Sequence, residues 1–149
     1  MGFYRSARSC SLVAKVHREL KTPFKYWADT YADDKPFWRP QPDEHDKGLV
    51  MMPYSLDCND FKLWLTGMPV HDWEKHIIDA FTTLREEGQD GNTSYLTIAL
   101  HSRWIGRPGR FQALKRIVEH IAQFDDVWFA TREQIANHFA EKFPYEPKK

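Results

Sequence analysis

Helical periodicity is clearest between Val70 and Glu87, where large apolar side chains return every three or four residues. The stripe consists of Trp73, Ile77, Ala80, Phe81 and Leu84. Such spacing places these residues on one face and predicts an amphipathic helix. Gly88 follows the stripe and is expected to end the helix.

Similar stripes predict helices over about 9–20, opened by Ser9 or Ser11, and over about 111–124. A last helix is expected to begin at Thr131, because Thr131 and Gln134 have the spacing of a capping box, and to run to about residue 143. Short apolar runs predict strands at Phe24–Ala28, Leu49–Met52, Tyr95–Leu100 and Val127–Ala130. The polar stretch 39–48, with two prolines, is expected to be an exposed excursion. Alternating strands and helices indicate an α/β fold with parallel strands.

Composition narrows the class of protein. A chain of 149 residues with 42% apolar and 15% aromatic residues is expected to form one domain, residues 1–149. The 21 basic and 21 acidic residues cancel, so no overall field favours nucleic acid or an anionic membrane. No run approaches the roughly 18 apolar residues of a membrane span, and the first residues lack an apolar signal segment. We therefore expect a cytoplasmic protein without membrane or nucleic-acid partners.

The cysteines and histidines of the sequence do not have the spacing of a known metal-binding motif. Cys10 and Cys58 form no CxxC pair, and no HxxxH or HExxH motif occurs. His71 and His76 are five residues apart, so a helix would place them on different faces. The sequence predicts no metal and no cofactor.

The segment from Ser94 to Arg110 offers the strongest candidate chemistry. An apolar strand ends at His101, and a Gly/Pro loop with three arginines follows it. In α/β folds the carboxyl ends of strands face the ligand, which favours an active-site rim here. The alternative is a histidine with a local hydrogen bond and solvated arginines. A second polar loop, Tyr54–Asp60, follows the apolar run at Leu49–Met52.

Three segments together carry a family resemblance. They read YWADTYADDKPFW, LVMMPYSLDCNDFKLW and TIALHSRWIGRPGR. In this order they resemble the second half of the polysaccharide deacetylase (NodB-homology) family, and most closely its branch of metal-independent allantoinases. The resemblance extends over about residues 2–147.

The resemblance implies a partial (β/α) barrel, truncated on its N-terminal side, and hydrolysis of a C–N bond in a small ureide or an N-acetylated sugar. It implies that His101 is catalytic, as an acid for the leaving nitrogen or a group that stabilises the oxyanion. The implied substrate-binding residues are Arg103, Arg107, Arg110, Tyr54, Asn59 and Asp60.

Nothing in the chain matches the first half of such a domain, with its early aspartate motif. We therefore expect the chain to be inactive alone and to need a complementing chain or a homo-oligomer. The alternative is a non-catalytic module of the same fold that binds a small anion or a protein.

Overall fold

The computed structural model describes residues 7–22, 25–41 and 44–147. The chain divides into two compact units, one with the described residues up to Pro53 and from Ala130 onward, the other with Tyr54–Phe129. The helices are α1 (Ala7–Glu19), α2 (Lys62–Leu65), α3 (Val70–Gln89), α4 (Ser102–Ile105), α5 (Pro108–Ile121) and α6 (Arg132–Lys142). The strands are β1 (Tyr26–Trp27), β2 (Phe37–Gln41) and β3 (Glu44–Met51).

The first unit contains a small mixed sheet in the order β1-β3-β2. Strand β1 runs parallel to β3, and β2 runs antiparallel to it. Leu49 to Met52 are buried, as expected for the apolar run that ends the central strand. Of the exposed excursion predicted over 39–48, residues 39, 40 and 45–47 are indeed exposed, and residues 42–43 lie outside the described residues. The prediction is wrong in one respect: residues 39–41 and 44–48 are not an excursion but lie in the antiparallel strands β2 and β3. Pro40 is compatible with β2 because β2 is an edge strand, where a missing N–H is tolerated.

Helix α6 begins as predicted from its capping box. Gln134 N–H donates to the Thr131 hydroxyl, and the Thr131 N–H donates to the Gln134 side chain. In the same unit the Trp38 ring of β2 packs against Phe139 of α6. The spacing of the capping-box residues therefore predicts where α6 begins, which apolar periodicity alone does not.

The second unit is built on helices α3 and α5. Its core combines the α3 stripe with one face of α5 and residues from the loops: Cys58, Leu63, Trp73, Ile77, Phe81, Ile105, Ile117 and Ile121. Leu84 lies at the half-buried margin. The helix predictions over 70–87 and 111–124 are confirmed to within a few residues. Pro108 occupies the first turn of α5, where its missing N–H costs no helical hydrogen bond.

Two predicted strands of this unit are largely absent. Within the described residues, Tyr95–Leu100 forms one isolated parallel bridge, between Ala99 and Asn59. Residues 127–129 of the Val127–Ala130 run pair with no strand of the described chain, and Trp128 and Phe129 are exposed. Apolar runs favour strands only when a neighbouring strand accepts and donates along their length. In the described part of the chain, Ala99 is the one position of the two runs that has such a neighbour, which is Asn59.

We expect Phe81→Ala to lower the free energy of unfolding by about 3–5 kcal/mol, because its ring is buried on α3 and packs against Phe124. Phe111→Ala is the matched control, since the Phe111 side chain on α5 is half exposed; its effect should stay within about 0.5 kcal/mol. Urea titration measures both. Equal losses in the two variants would contradict the described core.

A second stability prediction concerns the ion pair between α3 and α5. The Glu74 carboxylate accepts hydrogen bonds from Arg116, at 2.7 Å from Nε, and this lowers the pKa of Glu74 from its usual 4.5. A depressed carboxyl pKa contributes stability above the unfolded value, and that contribution is lost as the pH falls through the folded value. Glu74→Gln should therefore reduce the fall in stability below about pH 4.5, measured by thermal melts across pH. Glu86→Gln on the same helix should keep the wild-type profile, and an unchanged profile for Glu74→Gln would refute the prediction.

Candidate active site

The loop from Tyr54 to Phe61 is joined to the segment before His101 by a short backbone ladder. Asp60 N–H donates to the Ala99 carbonyl at 3.0 Å, and Ala99 N–H donates to the Cys58 carbonyl at 3.2 Å. These bonds form the parallel bridge between Asn59 and Ala99. They bring Asp60 beside a histidine 41 residues further along the chain.

Asp60 holds His101 at two points. Its Oδ2 accepts a hydrogen bond from the His101 backbone N–H at 2.8 Å, and its Oδ1 lies 2.6 Å from His101 Nδ1. Asp60 is fully buried, whereas 39% of the His101 side chain is exposed. A buried carboxylate can only accept, so it selects the tautomer with a proton on Nδ1. Nε2 is then the ring nitrogen left for chemistry.

Aromatic rings extend from His101 along one side. The Phe61 ring lies 6.0 Å from the His101 ring and 6.4 Å from Trp104. Trp64 stacks on Trp104 with 5.7 Å between ring centroids, and 58% of Trp64 is exposed. These rings give the imidazole an apolar neighbourhood.

The three arginines of the loop share one groove of about 730 Å³. Its apolar lining comes from Leu63, Met68, Pro69, Val70 and Trp104, and its charged lining from Arg103, Arg107 and Arg110. The guanidinium carbons of Arg103 and Arg110 each lie 5.9 Å from the Trp104 ring centre, within cation–π range. Planar guanidinium groups pair well with carboxylates and other oxygen acceptors. His101 is not among the residues that line this groove.

The predicted site residues therefore fall into separate groups. His101 and Asp60 form a pair, and the arginines form a groove. Asn59 is buried, and its Oδ1 accepts a hydrogen bond from the Phe61 N–H at 2.9 Å. Asn59 and Asp60 are thus buried and support the loop and His101 through their described hydrogen bonds, and their contact with a substrate stays a prediction. Tyr54 is half buried in the same unit, and its place on the face of His101 stays a prediction.

Sequence reasoning missed one cluster. Asp57, Cys58 and His76 each present a metal-ligand atom, and the three atoms lie within 4.8 Å of one another. Burial, with a smaller effect of Asp57, raises the pKa of the Cys58 thiol to about 12. Cys58 and His76 are separated by 17 residues, which matches no short ligand motif, so their spacing gave no signal.

The chain is similar in sequence and in fold to several known proteins. A Schizosaccharomyces pombe protein named "Putative polysaccharide deacetylase" is 40% identical in an alignment that covers 95% of this chain and 47% of that protein. The crystal structure of PuuE allantoinase matches 95% of this chain with a TM-score of 0.82 and 35% identity. The structure of a probable polysaccharide deacetylase from Pseudomonas aeruginosa PAO1 matches the same share with a TM-score of 0.83 and 36% identity.

The chain is related to the polysaccharide deacetylases. It spans about half the length of these relatives, 47% of the yeast protein and 45% of each of the two crystal-structure chains. No family model matches it. The α/β fold is that of the polysaccharide deacetylase structures, and the predicted resemblance is confirmed. Among the described residues, no helix is both long and apolar enough to cross a membrane.

The Asp60 contact makes a testable prediction about His101. Neutral His101 should carry its proton on Nδ1, because Asp60 Oδ1 can only accept there. Nitrogen NMR of the imidazole ring reports this tautomer directly, and Asp60→Ala should weaken the preference. An Nε2–H tautomer in the unaltered protein would contradict the described contact. His71 on α3 serves as the contrasting case, because its Nε2 lies 2.9 Å from Asp72 Oδ1 and the Nε2–H tautomer is expected there.

Proposed function

We propose that this chain carries the acid-bearing part of a hydrolase that cleaves C–N bonds in amides or ureides. The observation that supports the proposal most is the pair of hydrogen bonds that buried Asp60 accepts from His101. A buried carboxylate that holds Nδ1 of the ring and leaves Nε2 for proton transfer is the arrangement that general acid–base catalysis needs. The relationship to a protein named allantoinase and to polysaccharide deacetylases supports the same reaction class.

The chemistry assigned to the pair is proton transfer at Nε2. A base outside this chain takes a proton from water as the water oxygen adds to the carbonyl carbon, and the tetrahedral oxyanion re-forms the carbonyl as its C–N bond breaks. The leaving nitrogen takes the proton from Nε2 of the imidazolium and departs as an amine. Neutral His101 regains a proton from solvent while the base releases the one taken from water. Asp60 stabilises the imidazolium before the transfer, because its charge is buried and 2.6 Å from Nδ1. Asp60 is thus a positioning residue in this proposal, and His101 is the catalytic one.

Substrate recognition is assigned to the arginine groove. Arg103, Arg107 and Arg110 offer donors to the carboxylate or ureido oxygens of a small ureide, or to the oxygens of an N-acetylated sugar. Trp104 forms an apolar wall between the guanidinium groups. A ligand that reaches from this groove towards Phe61 would approach the His101 ring.

Activation of the attacking water is assigned to residues outside this chain. The described side chains at the pair supply an acid and its support, whereas acyl transfer also needs a nucleophile activated in place. We expect such residues in the first half of a full domain of this kind, and the chain spans about half the length of its relatives. In this proposal the chain is the C-terminal part of a (β/α) barrel, inactive alone, completed by a second chain or a further copy.

A non-catalytic module that binds small anions is the second candidate. One observation favours it: the groove with the three arginines is lined without His101. Anion binding could then occur with no use of the imidazole. The two candidates differ in whether His101 contributes to turnover.

The chain of 149 residues should show no appreciable hydrolysis of allantoin or of N-acetylated sugars, while a chimera that adds the missing part of a relative should gain activity. In the active protein, His101→Ala should lower kcat by about 10²- to 10⁴-fold, the range for loss of a general acid. Arg107→Ala should act mainly on KM, because it removes binding rather than proton transfer. Initial rates across substrate concentration separate these effects.

His71→Ala is the matched control, since His71 is an exposed histidine on α3; it should leave kcat and KM unchanged. The hydrolase proposal would be refuted if the short chain hydrolysed these substrates alone. It would also be refuted if His101→Ala left the kcat of an active chimera unchanged. Anion binding that persists in such a protein and is lost in Arg107→Ala would support the second candidate.

A further inference from the structure

Three side chains of different ligand types converge at the start of the second unit. Asp57 contributes a carboxylate, Cys58 a thiol and His76 an imidazole, with one ligand atom of each inside a 4.8 Å span. His76 comes from α3, while Asp57 and Cys58 come from the loop that also carries Asp60. None of the three belongs to the arginine groove or to the His101 pair.

The contacts already directed at Asp57 resemble a partly assembled coordination shell. His76 Nε2 lies 3.1 Å from Asp57 Oδ2, and the Cys58 sulfur lies within 4.8 Å of the ligand atoms of both residues. Ligand atoms around a tetrahedral zinc ion, at about 2.0–2.3 Å from the metal, lie roughly 3.3–3.7 Å from one another. Small side-chain rotations therefore separate the observed cluster from a coordination shell.

From this geometry we infer that Asp57, Cys58 and His76 form a binding site for a thiophilic divalent cation, with Zn²⁺ as the natural occupant. One sulfur, one nitrogen and one oxygen ligand suit Zn²⁺ better than Mg²⁺ or Ca²⁺, which prefer oxygen. The protein supplies three ligands, so the fourth position is left to water. It faces solvent, because Asp57 and His76 are 56% and 40% exposed while Cys58 is buried beneath them.

Metal binding at this site would exchange one proton for the ion. Zn²⁺ displaces the thiol hydrogen of Cys58, the sulfur keeps the bonding electron pair as a thiolate ligand, and the proton passes to the buffer. The charges of Asp57 and the thiolate then balance the ion. The bound metal links α3 to the loop that positions Asp60. This inference replaces the sequence-based expectation of no metal and is independent of the proposed hydrolase function.

The test uses the full chain, without a polyhistidine tag and stripped of metal by a chelator. Co²⁺ added to it should bind with one equivalent and give a thiolate-to-cobalt charge-transfer absorption in the near ultraviolet. Zn²⁺ should displace the cobalt, abolish the band and raise Tm with increasing metal concentration. Release of about one proton per metal, followed with a pH indicator, is a further expected readout.

Variants locate the site. His76→Gln and Asp57→Asn alter exposed side chains and should each weaken binding by more than about tenfold with no loss of folded structure by circular dichroism. Cys58→Ser should abolish the charge-transfer band. His71→Gln, on the same helix, and Cys10→Ser should leave stoichiometry and band unchanged.

Absence of a band and of a Tm shift in the unaltered chain would overturn the inference. A band that survives Cys58→Ser, or binding that depends on His71 rather than His76, would overturn it as well. Should Cys58→Ser fail to fold, because Cys58 lies in the core, His76→Gln and Asp57→Asn still decide the outcome. Hydrolase activity is not a readout, so the two proposals fail separately.

Discussion

A carboxylate without solvent must have partners, and the burial of Asp60 imposes this condition on the second unit. Both oxygens accept hydrogen bonds from one residue, His101, through its backbone N–H and its ring. Loss of either contact would leave one buried carboxylate oxygen without that hydrogen bond, which is unfavourable. The loop before α2 and the segment before α4 are therefore fixed relative to each other. The adjoining bridge between Asn59 and Ala99 has the same effect on the backbone.

Local patterns predicted the helices well. The α3 stripe and the capping box at Thr131 are complete within a few turns of chain, so no distant contact is needed to interpret them. Strands were harder, because a strand exists only beside a partner. Tyr95–Leu100 has strand character and forms one bridge, while the polar stretch after Arg39 joins a hairpin. Tertiary pairing overrides propensity in both cases.

The candidate site also combines features that local sequence patterns predict with features that depend on contacts between distant residues. His101 and the arginines were identified from their position after an apolar run, and the structure places the three arginines in one groove. The role of Asp60 depended on a contact across 41 residues, which no local pattern contains. The Asp57, Cys58 and His76 cluster is missed for the same reason, since helix α3 supplies its third member. Sequence spacing detects ligands that share an element and overlooks those that different elements bring together.

The edge strand β2 has a consequence for how the small sheet can grow. Pro40 lacks a donor and exposed Arg39 stands beside it, so the outer side of β2 is a poor template for another strand. The opposite edge is β1, which runs parallel to the central β3. A further strand would therefore be accepted more readily beside β1 than beside β2, and the proline on the hairpin edge makes the two sides of the sheet unequal.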